Sequence, residues 1–354
     1  AENLRSFVAE KALIQDSSPC FYVYREETPN YSQTGIVAAT SVEEYQKDII
    51  KKNELTRADK EMDRTKHVDI LNSNNEPVFL TYNKKESIDE IVKKVCESKP
   101  VYDFTVKVEH DKNGYLKHML WIISDKETIE NIKKEFSSIH TLYIADGHHR
   151  SASAARVCEM RKAMNPLHTG EEMYNYFLSV VFPHDQLKVM SYNRVIQSLG
   201  NKDCPDMTSE QFMEKLKEKF EIEVAQNPEP QSQHQFGMFL DGIWYRLKIK
   251  SQFIPKNDII ERLDVSLLQK HLLSPLLGIE NPRTDKRISF VGGVKGIIGL
   301  EEEVKKKGKK LAFALYPVKI EDIMAISDAG KIMPPKSTWF EPKLYSGIFL
   351  KPLI

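Results

Sequence analysis

Apolar and polar residues alternate along the chain in blocks whose periods predict strands and helices in turn. Short apolar runs bounded by Gly, Pro and Asn predict strands, whereas longer charged stretches with helical spacing predict helices. This alternation continues through both halves and predicts an α/β or mixed α+β fold. The predicted strands are 20–26, 35–40, 77–82, a hairpin over 101–124 with its turn at Asn113-Gly114, 141–145, 176–183, a hairpin over 236–249, 288–293 and 311–317. The predicted helices are 41–72, 87–97, 126–136, 151–164, 209–220, 263–278 and 320–327.

The stretch 41–72 has the signals of a long and unusually charged helix. Ser41, followed three residues later by Glu44, has the capping-box pattern that begins many helices. Charged residues within 53–64 recur at spacings of three and four, which places them on one helix face. A solvated helix with ion pairs explains this pattern as well as a binding face does. The residues on this face are Glu54, Arg57, Glu61 and Arg64, and Lys60 and Asp63 fall nearby.

The run DGHHR at 146–150 stands between a predicted buried strand and a predicted helix. Gly147 allows a tight turn and a close approach of a ligand to the backbone. The helix N-terminus offers unpaired N–H groups and a positive dipole end, which together bind anions such as phosphate. We therefore predict a phosphate site with Asp146 as a ligand for Mg²⁺, and the alternative is a capped helix with solvated histidines. The candidate residues are Asp146, Gly147, His148, His149, Arg150 and Ser151.

A second candidate segment lies near the C-terminus, in the run GKIMPPKSTWFEPKL. Gly330, Lys336 and Ser337 have the spacing of a P-loop, but Pro335 replaces the second glycine. Proline has no N–H to contribute to a nest of amides around phosphate, so we reject a P-loop. Two interpretations remain: a rigid loop that presents Lys336, Ser337 and Thr338 to phosphate, or a C-terminal packing segment.

Composition narrows the class of protein. The chain has 354 residues, and a loop at 164–172 suggests two domains, 1–165 and 166–354. Lys and Arg number 51, as do Asp and Glu, which argues against a dedicated nucleic-acid-binding protein. The four cysteines form no CxxC pair, which indicates free thiols in a reducing compartment. No apolar run approaches the ~20 residues of a membrane span, so we expect a cytoplasmic protein without membrane or nucleic-acid partners.

The chain resembles the family named domain of unknown function 1015. The similarity covers nearly the whole chain, and the matching runs are YVYREE, KNELTRADKEMDR, YIADGHHRSASAARV, SYNRVI, LDVSLLQ, ENPRTDKRISFVGGVKG and MPPKSTWFEPKLYSG. The DGHHR run also resembles that of free-serine kinases with the ParB/sulfiredoxin-like fold. Those enzymes phosphorylate free L-serine to O-phosphoserine with a nucleotide.

These resemblances imply a fold, an activity and a set of site residues. The fold is a ParB/sulfiredoxin-like, nucleotide-binding core over 1–165, with a C-terminal α+β domain over 166–354 that completes the pocket. The activity is small-molecule phosphoryl transfer, namely a free L-serine kinase that uses ATP or ADP with Mg²⁺. Glu54 is then the candidate general base on the serine hydroxyl. The implied candidates are Glu54, Asp146, His148 and His149 for catalysis and Arg57, Lys60 and Arg64 for phosphate contacts.

Two departures from the family keep other functions open. The family's usual His-Glu opening of the charged helix is Asn53-Glu54 here, and the family's N-terminal segment with a Pro-Tyr-Asp-Val-type stretch is missing. If that segment forms part of the pocket, the chain is incomplete for activity. The alternatives are a ParB-like nucleotide-binding regulatory protein, a phosphatase in which His148 or His149 attacks phosphorus, and a non-catalytic phosphate-binding module.

Overall fold

A computed structural model of the chain describes residues 2–108 and 114–354. It has the mixed α+β architecture that the sequence predicts, with strands and helices alternating along both halves. Across these residues, no helix is both long enough and apolar enough to cross a membrane.

The structure also contains elements that the sequence pattern does not predict, such as the helices Glu2–Ala9 and Gly296–Lys307. The helices are α1 Glu2–Ala9, α2 Val42–Gln46, α3 Ala58–Leu71, α4 Glu86–Cys96, α5 Lys126–Ser137, α6 His148–Met164, α7 Ser209–Leu216, α8 Asp264–Leu268, α9 Ser274–Leu277, α10 Gly296–Lys307 and α11 Ile320–Asp328. The strands are β1 Phe21–Thr28, β2 Tyr31–Ser41, β3 Ile50–Lys51, β4 Ser73–Asn74, β5 Val78–Tyr82, β6 Tyr102–Lys107, β7 Tyr115–Ile123, β8 Leu142–Asp146, β9 Tyr176–Pro183, β10 Lys188–Ile196, β11 Phe220–Val224, β12 Gln235–Leu240, β13 Ile243–Ile249, β14 Ile288–Gly292, β15 Leu311–Leu315, β16 Thr338–Glu341 and β17 Lys351–Pro352.

The chain divides into two compact units. The first unit contains the residues up to Leu187 together with 342–354, and the second contains 188–341. The sequence-based boundary at 165 lies inside the first unit, because β9 pairs with both β2 and β5 of that unit's sheet. The C-terminal residues return to the first unit through β17, which pairs with β4.

The first unit is built on one large mixed sheet. Within the described residues its strand order is β3-β8-β5-β9-β2-β1-β7-β6. The pairs β3·β8 and β5·β9 are parallel, and the other neighbours are antiparallel. The short strand β4 pairs with β17 outside this sheet. Strand β8, which ends at Asp146, is therefore an inner strand with β5 on one side and the two residues of β3 on the other.

Strands β5 and β9 supply the buried centre of the first unit. Every residue of β5 is buried, and β9 is buried beyond Tyr176, as suits apolar runs in a sheet covered by helices. Helix α6 contributes Ala154, Ala155 and Val157 to the same core. The small alanine side chains permit the close helix packing that the sequence predicts. This packing fixes the helix whose first turn carries the histidines of DGHHR.

The second unit has its own sheet, in the order β11-β13-β12-β15-β10-β14, with β16 paired to β10. Its predicted apolar helix over 263–278 consists of α8, a π-helical turn at Gln269–Leu273 and α9. Pro275 lies in the first turn of α9 and lacks the N–H that would continue a regular helix, which accounts for the irregular register. The helix then ends at Gly278, which has a left-handed conformation.

The two predicted hairpins form. Strands β6 and β7 are antiparallel, whereas the predicted turn residue Asn113 lies outside the described part of the chain. Strands β12 and β13 are joined by Asp241 (φ 50°) and Gly242 (φ 84°), the pair of positive φ angles that a tight two-residue turn requires.

The predicted long helix over 41–72 is wrong. Ser41 caps a helix as expected, because its Oγ accepts from the N–H of Glu44, but α2 is short and is followed by Asp48 with a φ of 58°. The chain then forms β3, crosses a loop over 52–57 and begins α3 at Ala58. The side chain of Asn53 explains the interruption, because its Nδ2 donates to the carbonyl of Ile144 in β8 at 2.9 Å.

Candidate functional site

The candidate site is the junction between β8 and α6. Strand β8 ends at Asp146, Gly147 follows with a φ of 103°, and α6 begins at His148. A positive φ of this size favours glycine, so the tight turn depends on Gly147 as the sequence predicts. The first N–H groups of α6 point out of the helix start, where the dipole is positive. The strand–DGHHR–helix unit therefore has the local geometry of an anion-binding site.

Asp146 is the anion at the centre of this junction. Its Oδ2 lies 3.1 Å from Nη2 of Arg150 and 3.4 Å from Nζ of Lys343. Burial alone would raise the pKa of Asp146, but Lys343 and Arg150 outweigh burial and hold the pKa below its usual value. Asp146 is therefore ionised at neutral pH and holds two cations beside the start of α6.

Arg150 has a fixed orientation. Its Nη2 donates to Asp146, and its Nη1 donates to the carbonyl of Pro77, the residue before β5. Arg64 and Glu76 line a small cleft together with Arg150, and Nη1 of Arg64 lies 2.9 Å from Oε1 of Glu76. Two guanidinium groups thus share one cleft, with one carboxylate beside each.

His148 is buried and accepts a hydrogen bond. Its Nε2 accepts from the backbone N–H of Asn53 at 3.4 Å. Burial lowers the pKa of His148 to about 4, although the carboxylate of Asp146 opposes that shift. The ring is therefore neutral at physiological pH, and it holds the loop over 52–57 against the helix start instead of donating to a ligand through Nε2.

His149 makes the matching contact one residue further on. Its Nε2 accepts from the backbone N–H of Arg57 at 3.2 Å. The two histidines therefore bind both ends of the segment from Asn53 to Arg57, and we call this arrangement the histidine clamp. Glu54 lies within the clamped segment, is half-buried and has no hydrogen bond or ion pair with any residue that the structure describes.

The clamp changes the role expected of the histidines and of the charged stretch. Glu54 and Arg57 precede α3, so they do not share a helix face with Arg64 as predicted. Arg57 is exposed and paired with Asp59, with Nη2 and Oδ2 2.8 Å apart. Lys60 is exposed on the first turn of α3. Of the three predicted phosphate contacts in this stretch, only Arg64 lines a cleft with Arg150.

Ser151 has its donors engaged inside the helix. Its N–H donates to the carbonyl of Gly147 at 2.9 Å, and its hydroxyl donates to the same carbonyl at 3.2 Å. The side chain is fully buried. These contacts stabilise the turn at Gly147 and leave the predicted phosphate contact without a free donor on Ser151.

The C-terminal candidates lie in the second unit. Lys336 has a φ of 55°, and its ammonium lies over the ring of Tyr192 at 5.1 Å. The hydroxyl of Ser337 is buried and donates to the carbonyl of Pro334 at 2.6 Å. Thr338 begins β16 and pairs with β10. Ser337 therefore stabilises the Pro-rich loop, and Lys336 is held on an aromatic face.

The residues of the site suit Mg²⁺ that binds together with a nucleotide. Among the residues that the structure describes, no group of three or more His, Cys, Asp or Glu side chains could enclose a metal ion. Asp146 supplies a single ionised carboxylate at the helix start. Mg²⁺ that is bound with a nucleotide usually takes one or two protein carboxylates and completes its shell with phosphate and water. Asp146 fits that arrangement, and a cage made by protein alone does not fit.

Sequence reasoning missed two residues of this site. Lys343 lies within the matched run MPPKSTWFEPKLYSG, but nothing in the spacing indicates that it contacts Asp146. Glu76 precedes β5 and carries no motif, although a carboxylate between two polar Asn residues and Pro77 is a usable hint of a turn. Both contacts join residues far apart in the sequence, so only the fold reveals them.

The chain is similar to several solved structures at low sequence identity. No curated protein matches it. Among solved structures, a conserved hypothetical protein from Pyrococcus furiosus is 13% identical, with 88% of this chain and 93% of that chain covered and a TM-score of 0.39. A free serine kinase in complex with AMP is 13% identical, with 86% of each chain covered and a TM-score of 0.39. C-terminally truncated SbnI from Staphylococcus aureus is 9% identical, with 88% and 85% covered and a TM-score of 0.44.

Similarities as low as these assign no ligand to this chain, and a ParB/sulfiredoxin-like core stays a prediction. The family model described as "Protein of unknown function (DUF1015)" matches residues 1–266, which is most of the chain. The family resemblance seen in the sequence is thereby confirmed, and the chain belongs to the DUF1015 family.

Proposed function

We propose that the protein is a small-molecule phosphotransferase whose phosphate site is the start of α6. The observation that supports this most is the juxtaposition of a helix N-terminus, two cations on Asp146, and a carboxylate without a partner in the histidine clamp. Phosphoryl transfer depends mainly on positioning and charge stabilisation, and these residues supply both. The resemblance of the DGHHR run to that of free-serine kinases makes L-serine the proposed acceptor and a nucleotide the donor.

Glu54 is the proposed general base. It is half-buried beside the helix start, and its carboxylate is not consumed by an ion pair with any described residue. In the proposed reaction Glu54 takes the proton of the serine hydroxyl while that oxygen bonds to the terminal phosphorus of the donor. The bond from phosphorus to the leaving phosphate oxygen of the nucleotide breaks, and the electron pair stays on the nucleotide. O-phosphoserine and a nucleotide shortened by one phosphate are the products.

Arg150 and Lys343 are the proposed phosphate contacts. The guanidinium of Arg150 and the ammonium of Lys343 lie beside the first turn of α6. The charge on the transferred phosphoryl group therefore meets three positive partners, namely these two cations and the helix N-terminus. Arg64 extends this positive surface along the cleft that it shares with Arg150. Mg²⁺, when bound with the nucleotide, would neutralise phosphate charge, and Asp146 is the residue that would contact it.

The cellular setting is part of the same proposal. The four cysteines are free in the structure. Free thiols suit a reducing compartment, and we place the protein in the cytoplasm, where nucleotides and free amino acids are its partners.

The test is a phosphoserine assay on the full chain. The protein is incubated with L-serine and Mg²⁺, with ATP and with ADP in separate reactions, and O-phosphoserine is quantified. Glu54→Gln should lower turnover by roughly 10²–10⁴-fold, the usual contribution of a general base, while calorimetry shows unchanged nucleotide binding. Asp146→Asn should abolish Mg²⁺-dependent turnover. Glu127→Gln, on the exposed first turn of α5, is the matched control and should behave as wild type.

Each outcome has one meaning. Product that depends on Glu54 and Asp146 supports the kinase and identifies its donor. Nucleotide binding without product from serine overturns the proposed acceptor. Nucleotide binding that is absent, or that Asp146→Asn and Arg150→Ala both leave unchanged, overturns the phosphate site itself.

A further inference from the structure

A second cavity lies in the first unit, on the face of the sheet that α4 covers. It has a volume of about 350 Å³, within the lower range of small-molecule pockets. Strands β1, β2, β5 and β9 form its floor, and α4 forms one wall. Tyr82 lines it from the end of β5, whereas Asp146 pairs with Phe79 near the other end of that strand. The cavity is therefore distinct from the phosphate site.

Arg25 is the cation in this cavity. Its Nε donates to Oγ1 of Thr34 at 2.9 Å, and its guanidinium lies 5.3 Å from the ring centre of Trp121. These two contacts hold the half-buried side chain in one orientation. The Nη atoms have no hydrogen bond or ion pair with any other described residue. A fixed guanidinium with free donors in a cavity is well suited to bind a carboxylate.

Two neutral donors line the cavity beside Arg25. The side chain of Tyr82 is 2% exposed, and its hydroxyl makes no hydrogen bond within the described residues. Gln186 is oriented because its Oε1 accepts from the N–H of Thr34 at 2.8 Å, which directs its amide NH₂ elsewhere. Because this unpaired hydroxyl is not one of the fully buried polar atoms, it is reached from the cavity, where a ligand oxygen can accept its hydrogen bond.

The α4 side of the cavity carries two carboxylates and one ammonium. Asp89, Lys93 and Glu97 line the α4 side, and the last turn of α4 ends at Cys96 with its partly negative carbonyl end. Oδ2 of Asp89 lies 3.6 Å from Nζ of Lys84, which compensates part of the negative charge of Asp89. Glu97 is exposed. The two carboxylates outnumber the single ammonium on this side, so it favours a positively charged group of a ligand. A ligand with a carboxylate at one end and an ammonium at the other matches both ends of the cavity.

We propose that this cavity binds a free α-amino acid, with its carboxylate on Arg25, Tyr82 and Gln186 and its ammonium toward Asp89 and Glu97. Binding here does not rest on the proposed kinase activity, because none of these residues belongs to the phosphate site. The cavity volume leaves room for a side chain beyond the common zwitterionic part.

Calorimetric titration of the full-length protein tests the proposal. The common L-α-amino acids are titrated one at a time. Propionate serves as a probe that has the carboxylate without the ammonium, and inorganic phosphate serves as a probe with a higher negative charge. At least one amino acid should bind, and more tightly than either probe. Arg25→Gln should weaken that binding roughly ten-fold or more, and Tyr82→Phe about three- to ten-fold. Arg246→Gln and Tyr102→Phe are the controls, since both residues lie outside the cavity.

A second measurement localises the ligand. Cys96 lines the cavity, so a bound amino acid should slow its alkylation by iodoacetamide, while alkylation of Cys204 in the second unit stays unchanged. Tyr82→Phe keeps the ring that packs on Phe136 at 5.3 Å, so this variant should fold even if Arg25→Gln does not. Binding of phosphate alone, or amino-acid binding that neither variant weakens, overturns the proposal. The proposal is also overturned if none of the amino acids binds at concentrations up to about 10 mM, because association weaker than this would be non-specific.

Discussion

His148 shows, at the scale of one residue, how folding sets chemical behaviour. Its ring is buried and accepts an N–H at Nε2, so the folded protein holds it neutral with a pKa of about 4. Protonation would remove that acceptor and place another charge near Arg150 and His149. The ring is thus better suited to hold Glu54 in place than to attack phosphorus, which weakens the phosphatase alternative.

A pH dependence of stability follows from His148. In the unfolded chain a histidine titrates near 6.5, whereas the folded value is about 4, so the unfolded state binds the proton more tightly. Stability from this group is complete above about pH 6.5 and falls as the pH decreases toward 4, by roughly 3 kcal/mol in total. Chemical denaturation of wild type and His148→Gln at several pH values checks this, because glutamine keeps an acceptor but does not titrate.

The exposed His140 provides the control for this comparison. His140→Gln should show the wild-type loss of stability on acidification, whereas His148→Gln should show a smaller loss. His118, which is also buried with a pKa lowered to about 4, contributes equally in all three proteins and cancels in the differences. Parallel pH profiles for wild type and His148→Gln would contradict the prediction.

At the scale of elements, the junction between β8 and α6 depends on one backbone conformation. Gly147 has a φ of 103°, and a Cβ at this position would approach Nε of Arg150 to 3.0 Å. A side chain would therefore strain the backbone and displace the guanidinium from Asp146 and Pro77.

Gly147→Ala is expected to lower stability by about 1–2 kcal/mol and to weaken nucleotide binding as well. The second effect arises because Arg150 loses its orientation. Gly308→Ala is a matched control, since Gly308 also has a positive φ of 60°, but no atom of the described residues would lie within 4 Å of the added Cβ. The control should lose stability without a change in nucleotide affinity, as measured by calorimetry. Equal nucleotide affinities for both variants would show that the turn does not orient the site.

The elements also show what local sequence can and cannot predict. The strand and helix around DGHHR, the capping at Ser41 and the turn at Asp241-Gly242 all follow from local patterns, and the structure confirms them. The break of the charged helix was not predictable, because it results from Asn53 bonding to β8 and His148, residues that are about ninety positions away in the chain. Local charge spacing favours a helix, and the long-range contacts override it.

At the scale of the whole molecule, residues 342–354 complete the first unit from the far end of the chain. Lys343 contacts Asp146, and the N–H of Gly347 donates to the carbonyl of Asn75 at 2.9 Å. Lys351 is buried, and its Nζ donates to the carbonyl of Met173 at 2.6 Å. The sequence predicts one continuous C-terminal domain, because no local pattern indicates that residues 342–354 belong to the first unit. A two-residue pairing such as β17 with β4 has no detectable period.

Phe349 anchors this returning segment and provides the test of its importance. The ring is buried, 5.4 Å from that of Tyr22 and 5.5 Å from that of Tyr24 in β1. Phe349→Ala should lower the free energy of unfolding of the first unit by about 3 kcal/mol, because it removes an aromatic side chain and leaves a cavity. Hydrogen exchange followed by mass spectrometry should show faster exchange in β1, β4 and β17, with β10–β15 unchanged. Phe7→Ala, at an exposed position in α1, is the control and should alter exchange in neither region. If Phe349→Ala accelerates exchange less in β1 than in β12, the assignment of 342–354 to the first unit is contradicted.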